Sequence, residues 1–224
     1  MPSFRSLNAA LVGSTALLLA TPAHAEIQLQ GYLGANTAFS SDLTVDKGGL
    51  YDKRDIAWDG KSFEAPLYYG ARGTYWFEPQ TSWGVALDFT HQKAYAKLNF
   101  ATDPTYDHLE FTHGNNIATL NALYRVASPA SSWVYYGGAG AGLAIPHVEV
   151  TLKAYPGEST DDYQITGIAV QALAGVEYRL TQHWDLFGEG KIAYTNDDAD
   201  LVDGGNVKTQ IWSPQVLAGI AYRF

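Results

Sequence analysis

Four histidines, His91, His108, His113 and His147, and three glutamates, Glu64, Glu110 and Glu149, recur where runs of alternating residues give way to polar connections. Imidazole nitrogen and carboxylate oxygen together bind divalent metal ions, and the same pair passes protons near neutral pH. His147 and Glu149 are two residues apart, so on a strand they share one face. The candidate catalytic set is therefore Glu64, His91, Glu110, His147 and Glu149. No spacing among them matches an established metal motif. A second reading stays open, in which these are ordinary polar residues at the ends of strands. His183 falls in a short turn and reads as solvated.

Other chemistries find little support. The acidic run Asp197 to Gly205 lacks the ligand spacing of a calcium loop. There is no G-x-S-x-G, no glycine-rich phosphate loop and no basic aromatic stripe. A formal charge of −9 argues against nucleic acid as a partner. Lys61, Lys93 and Lys97 lie at the level of the histidines, placed to meet anionic lipid phosphates or to snorkel at an interface.

The elements that must carry these residues have a period of two. In the last stretch, Ile211 to Phe224, the residues Val216, Ala218, Ile220, Tyr222 and Phe224 alternate with Gln215, Leu217, Gly219, Ala221 and Arg223. Seven earlier stretches behave alike, near 27–39, 62–77, 83–95, 109–125, 133–150, 163–180 and 184–195. On the second, Glu64 has inward parity; on the third, His91 has outward parity. The fourth shifts register at Gly114-Asn115-Asn116, which predicts a bulge. The Gly/Ala centre of the fifth, 137–142, suits a tightly curved wall. Connections alternate long and short, the long ones near 40–61, 97–108, 151–162 and 196–206.

Residues 1–25 read as a secretory signal: one charge, Arg5, an apolar run, and Ala23-His24-Ala25 as a small-x-small cleavage site. Removing it carries the charge from −9 to −10. The chain has no cysteine, so no disulfide contributes stability. No stretch approaches the roughly 20 apolar residues of a membrane helix. A secreted membrane protein without such helices must close its sheet, because an open edge in lipid leaves backbone groups unpaired. The expected fold is all-β: an eight-stranded, antiparallel, up-and-down transmembrane β-barrel over 26–224. Trp83, Trp133, Trp184, Tyr222 and Phe224 form its inner aromatic girdle. Arg72, Asp88, Arg125, Glu177, Arg179, Asp185, Glu189, Lys191 and Arg223 would pair inside, closing it to diffusion. A soluble lipocalin-like barrel is the structural rival.

A last strand ending in Phe224 resembles the closing strand of bacterial outer-membrane barrels, which implies the outer-membrane assembly machinery as a partner during biogenesis. Longer stretches carry a more specific likeness. WDGKSFEAPLYYGARGTYW (58–76), GVALDFTHQKAYA (84–96), LEFTHGNNIATLNALYR (109–125), GAGLAIPHVEV (140–150), YQITGIAVQALAGVEY (163–178) and LFGEGKIAYTNDDADLVDGG (186–205) resemble the lipid A oxidase family that forms 2-aminogluconate.

That resemblance implies a Gram-negative outer-membrane location, lipid A in lipopolysaccharide as substrate, other outer-membrane lipids as surroundings, and oxygen-dependent oxidation of the proximal glucosamine with release of peroxide. Such chemistry needs a redox metal or an organic cofactor. The chain has no nucleotide-binding motif, and a filled barrel has little room for a flavin. A divalent or redox metal ion on His91 and His147, helped by Glu64, Glu110 or Glu149, is the expectation. The rivals are a non-enzymatic structural or adhesive barrel of the opacity and outer-membrane protein A type, and a lipid A deacylase.

Overall fold

The computed structural model describes residues 25–77, 82–111, 114–128 and 130–224. The expected signal segment, apart from Ala25, and His113 lie outside the described residues. Among the described residues the chain forms β1 (Glu26–Asn36), β2 (Ser41–Lys47), β3 (Leu50–Ile56), β4 (Trp58–Asp59), β5 (Tyr69–Trp76), β6 (Trp83–His91) and β7 (Ala94–Ala96). It continues with β8 (Tyr106–Phe111), β9 (Asn115–Ala127), β10 (Trp133–Leu152), β11 (Ser159–Tyr163), β12 (Gly167–Arg179), β13 (Trp184–Asp200) and β14 (Asn206–Arg223). Eight of these close a ring in the order β1, β5, β6, β9, β10, β12, β13, β14 and back to β1, every neighbour antiparallel.

Within the ring the alternation follows the two media. Leu29, Leu33, Leu87, Leu120, Ile168, Val216 and Ile220 face outward and are exposed. The inward positions are largely polar, and their charged groups pair into a plug. Arg72 donates to both oxygens of Glu189 (2.6 and 2.7 Å) and to Asp88 (3.1 Å), and Lys191 donates to Asp88 at 2.8 Å. Two cations and two carboxylates make the group neutral. Tyr136 and Tyr32 add hydroxyl donors to Glu189 and Asp88, each at 2.8 Å. Further toward the short turns, Glu177 accepts from Gln28 and Gln30, and Arg223 pairs with Asp185 at 2.7 Å. Arg125 pairs with Glu26. The inner glycines of β10 serve close wall packing: a Cβ at Gly138, Gly140 or Gly142 would strike carbonyl oxygens of Ala122, Leu120 or Ala118 on β9.

Aromatic pairs mark both edges of the apolar band. Trp83 meets Tyr124, Trp133 meets Tyr178 and Trp184 meets Tyr222 at the short-turn end, and Tyr194 meets Trp212 at the other. Ten residues separate Trp184 from Tyr194. At about 3.4 Å per residue and a tilt of about 40°, that is about 26 Å of height, the thickness of an outer-membrane apolar band.

Beyond Trp212 the pattern inverts. On β14 the outward side turns from Ile220, Val216 and Trp212 to Gln210 and Lys208, while the inward side turns from Gln215 and Ser213 to the buried Ile211 and Val207. On β10 the outward side turns from Leu143 and Ile145 to His147, Glu149 and Thr151, over buried Val148, Val150 and Leu152. Outside the membrane the surrounding medium is water, so the apolar residues move inside. Leu43, Val45, Ile56, Trp58, Tyr106, Leu109, Phe111, Val148, Val150 and Ile211 form one core there. The segments expected as open loops therefore carry paired strands: β2 and β3 form a hairpin on β14, β13 and β14 run to a turn at 201–205, and β8 and β11 flank the top of β10.

Because this core is shielded from water rather than from lipid, its burial carries the full hydrophobic contribution. Phe111→Ala is expected to cost the outer body about 3–5 kcal/mol. Limited proteolysis should then cut within the outer strands while the heat-modifiable barrel persists. Unchanged protease resistance would show that these strands are not a packed unit.

Candidate metal and catalytic site

The pairing registers assemble a face that no local stretch of sequence displays. Asp59 lies opposite Tyr95, Tyr95 opposite Glu110, Glu110 opposite Glu149, and Glu149 opposite Asp161. Five strands, β4, β7, β8, β10 and β11, thus contribute one cross-strand row about 19 Å long at about 4.8 Å per strand. Glu149 and Glu110 alternate with the core residues Val148, Val150, Leu109 and Phe111, so the row faces outward. His147 stands one outward position below it on β10, and His108 one outward position above it on β8, opposite Thr151.

The side chains converge. His108 Nε2 lies 2.9 Å from Glu110 Oε1 and 3.6 Å from Glu149 Oε2. His147 Nδ1 lies 3.1 Å from Glu149 Oε1, and its Nε2 lies 3.4 Å from Asp161 Oδ1. Tyr163 packs its ring edge-on against His147, with centroids 4.5 Å apart. Three carboxylates directly opposite one another repel. The two imidazoles offset that repulsion when protonated, and a divalent cation would offset it more strongly. In donor type and spacing the residues fit a metal of intermediate hardness.

The height of the cluster decides what can reach it. His147 follows Trp133 by fourteen residues on β10. At about 3.4 Å per residue and a tilt of about 40° this is about 36 Å, about 10 Å beyond the apolar band. The cluster therefore faces the headgroup layer of the outer leaflet from the side.

Of the residues expected from sequence, His147, Glu149 and Glu110 come together here. Glu64 does not have the expected inward parity: the second ring strand begins at Tyr69 rather than near residue 62, because Pro66 removes a backbone donor and the turns at 61–67 leave the wall. Its side chain is largely exposed beside Lys61, and its carbonyl accepts a bond from Lys93 Nζ at 2.7 Å. His91 is outward-facing as expected, but sits below the row and is buried. Its ring stacks on Tyr69, and its Nδ1 meets Asn116 Oδ1 at 2.8 Å. The structure thus groups His147 with Glu149 and Asp161 rather than with His91. Lys61 holds its ammonium 3.8 Å from the Tyr95 ring centroid, with Lys93 5.8 Å from the same ring.

His108 and Asp161 were not in the expected site set. One signal was present: His108-Leu109-Glu110 and His147-Val148-Glu149 are twin His-x-Glu repeats. The register shift that aligns them lies between Phe111 and Asn115, at the start of the expected tripeptide. Pairing of β6 with β9 and of β7 with β8 differs in register by two residues, as does pairing of β9 and β8 with β10. Gly114, at φ +117°, lies at that step.

Hydrogen bonding to Glu110 raises the pKa of His108; burial opposes the shift, and the charges of Glu110 and Glu149 add to it. This pairing contributes stability that is full below about pH 6.5, the ordinary histidine value, and is lost as pH rises through the raised value. A cation competes with that proton. Apparent Mn²⁺ affinity is therefore expected to rise about tenfold per pH unit through the acid range and then level off. A flat titration profile would remove His108 from the ligands.

The match to known families fits the closed ring and its girdles: the profile described as outer membrane protein beta-barrel domain covers residues 9–224. The chain belongs to that family. This outer-membrane barrel thus resides in the outer membrane of a Gram-negative cell. Among solved structures the barrel is similar to Neisserial surface protein A, at 18% identity over 89% of this chain and 97% of that one, with a TM-score of 0.47. It is similar to the N-terminal β-barrel domain of Pseudomonas aeruginosa OprF, at 14% identity over 89% and 97%, with a TM-score of 0.44. It is also similar to the outer membrane protease OmpT of Escherichia coli, at 9% identity over 94% and 100%, with a TM-score of 0.47. No curated protein matches the barrel.

Proposed function

We propose that this outer-membrane barrel oxidises the proximal glucosamine of lipid A to 2-aminogluconate, with oxygen as acceptor, at the cluster of His108, Glu110, His147, Glu149 and Asp161. The observation that carries the reading is the outward position of that cluster, about 10 Å beyond the apolar band. A barrel enzyme of the aqueous phase would place its polar groups over an open lumen. One acting on a lipid headgroup needs them on the outer wall, at the depth of the sugars. The sequence resemblance supplies the reaction, and the site chemistry is compatible with it.

The reaction balances with oxygen and water alone. C1 of the sugar, carrying a free hydroxyl, gives up its C–H and O–H hydrogens as two electrons and two protons. Oxygen takes them and leaves as hydrogen peroxide, and water opens the resulting lactone to the acid. A redox-active divalent ion held within this cluster, by His108, Glu110 and Glu149 or by His147, Glu149 and Asp161, would supply the one-electron steps that oxygen requires. Glu149, the middle one of the three neighbouring carboxylates Glu110, Glu149 and Asp161, contacts both histidines and holds the donor set together. Tyr95 within the row and Tyr163 opposite His147 offer aromatic surfaces for a sugar. Lys61 sets an ammonium group beside the row, where a lipid phosphate would lie, while Lys93 is buried and donates to the Glu64 carbonyl rather than facing lipid.

The purified barrel in detergent, given metal, air and lipid A with a free C1 hydroxyl, should release peroxide as the lipid gains one oxygen atom. Loss of an acyl chain would point to a deacylase. Unaltered lipid with no peroxide would leave the structural or adhesive barrel as the better account.

A further inference from the structure

The two histidines of the cluster approach Glu149 from opposite sides. Glu110 and Glu149 share one row, His108 lies in the row above, and His147 lies in the row below. Along the strand direction the imidazoles start four positions apart, about 13 Å between backbones. Glu149 divides its oxygens accordingly, Oε2 toward His108 Nε2 (3.6 Å) and Oε1 toward His147 Nδ1 (3.1 Å). Each histidine has a further carboxylate of its own, Glu110 for His108 and Asp161 for His147. The result is two sets of three donors, with the donor atoms of each set within 4.8 Å of one another and Glu149 common to both.

We infer that the outward row binds two divalent cations, one on His108, Glu110 and Glu149 and one on His147, Asp161 and Glu149, with the Glu149 carboxylate bridging them. Charge permits two and geometry favours them: three carboxylates leave a single net charge of either sign with one divalent ion or two, while the donors fall into two separate sets of three around the two histidines. Each set offers one imidazole and two carboxylates, which leaves open positions for substrate oxygens. Bridging also explains why three carboxylates stand directly opposite one another on three neighbouring strands, an arrangement that costs stability without a cation.

The inference deepens the reading of the same cluster, but ion stoichiometry is read without lipid A, so it and the proposed oxidation can fail separately. The full-length mature barrel is equilibrated with Mn²⁺ after chelator treatment, and bound metal is counted by elemental analysis. Paramagnetic resonance then separates isolated Mn²⁺ from an exchange-coupled pair. Two ions per chain with a coupled spectrum are expected. His108→Ala and His147→Ala should each retain one ion and give the isolated spectrum. Glu149→Gln should abolish coupling and weaken both sites at least tenfold. Heat-modifiable mobility checks that each variant is folded. One ion per wild-type chain would overturn the inference. So would complete loss of binding in either histidine variant, or two ions that survive all three substitutions, since these would be held elsewhere on an acidic surface.

Discussion

Glu149→Gln is expected to lower formation of oxidised lipid A by about 10²-fold or more while leaving the barrel folded. The substitution keeps the size of the side chain and removes its charge. Glu149 is the one carboxylate in contact with both histidines of the cluster, so its loss disturbs every donor at once. Stability should change little, because Glu149 lies outside the apolar core and is flanked by Glu110 and Asp161, whose repulsion the change relieves. Wild-type turnover by a folded Glu149→Gln variant, read by mass spectrometry of the lipid and by mobility before and after heating, would move the chemistry away from this row.

Arg72→Met should be the most destabilising single change in the membrane-spanning part, at about 3–5 kcal/mol. The Arg72 side chain is fully buried and satisfies Glu189 and Asp88. Removing it strands two carboxylates against Lys191 alone. The double variant Arg72→Met with Glu189→Met should recover much of the loss, since Asp88 and Lys191 remain paired at 2.8 Å and the apolar pair costs less than an unmatched charge. Urea unfolding from lipid vesicles reads both. A double variant as unstable as the single would show that the plug works by shape and not by charge balance.

The ring was legible in sequence because lipid outside and a polar plug inside force a period of two with a fixed sense. Leu29, Leu87 and Ile220 on one side, and Gln30, Asp88 and Gln215 on the other, carry that signal. The outer body was hidden by the same rule. Above Trp212 the strands keep the period but reverse its sense, and Asp42, Asp46 and Lys53 on the outward side of β2 and β3 read as loop charges. Once the medium changes, Leu43 and Val45 are the core-facing half of an ordinary strand.

The site was legible in part. His147 and Glu149 sit on one strand, where parity alone puts them together. Glu110 joins them only through the pairing of β8 with β10, and His108 and Asp161 only through registers that no local pattern fixes. Glu64 was misplaced because the second alternating run looked continuous back to residue 62, although the chain leaves the wall before Tyr69. The partner expected for His147 was His91, which the structure instead seats against Tyr69 and Asn116.

The central claim is that the outward cluster oxidises the proximal sugar of lipid A. Mass spectrometry of lipid A from cells with and without this gene, grown in air and without oxygen, tests it most directly. The account predicts one added oxygen atom on the proximal glucosamine, in air only and with the gene only. Identical lipid A from both strains in air would contradict it.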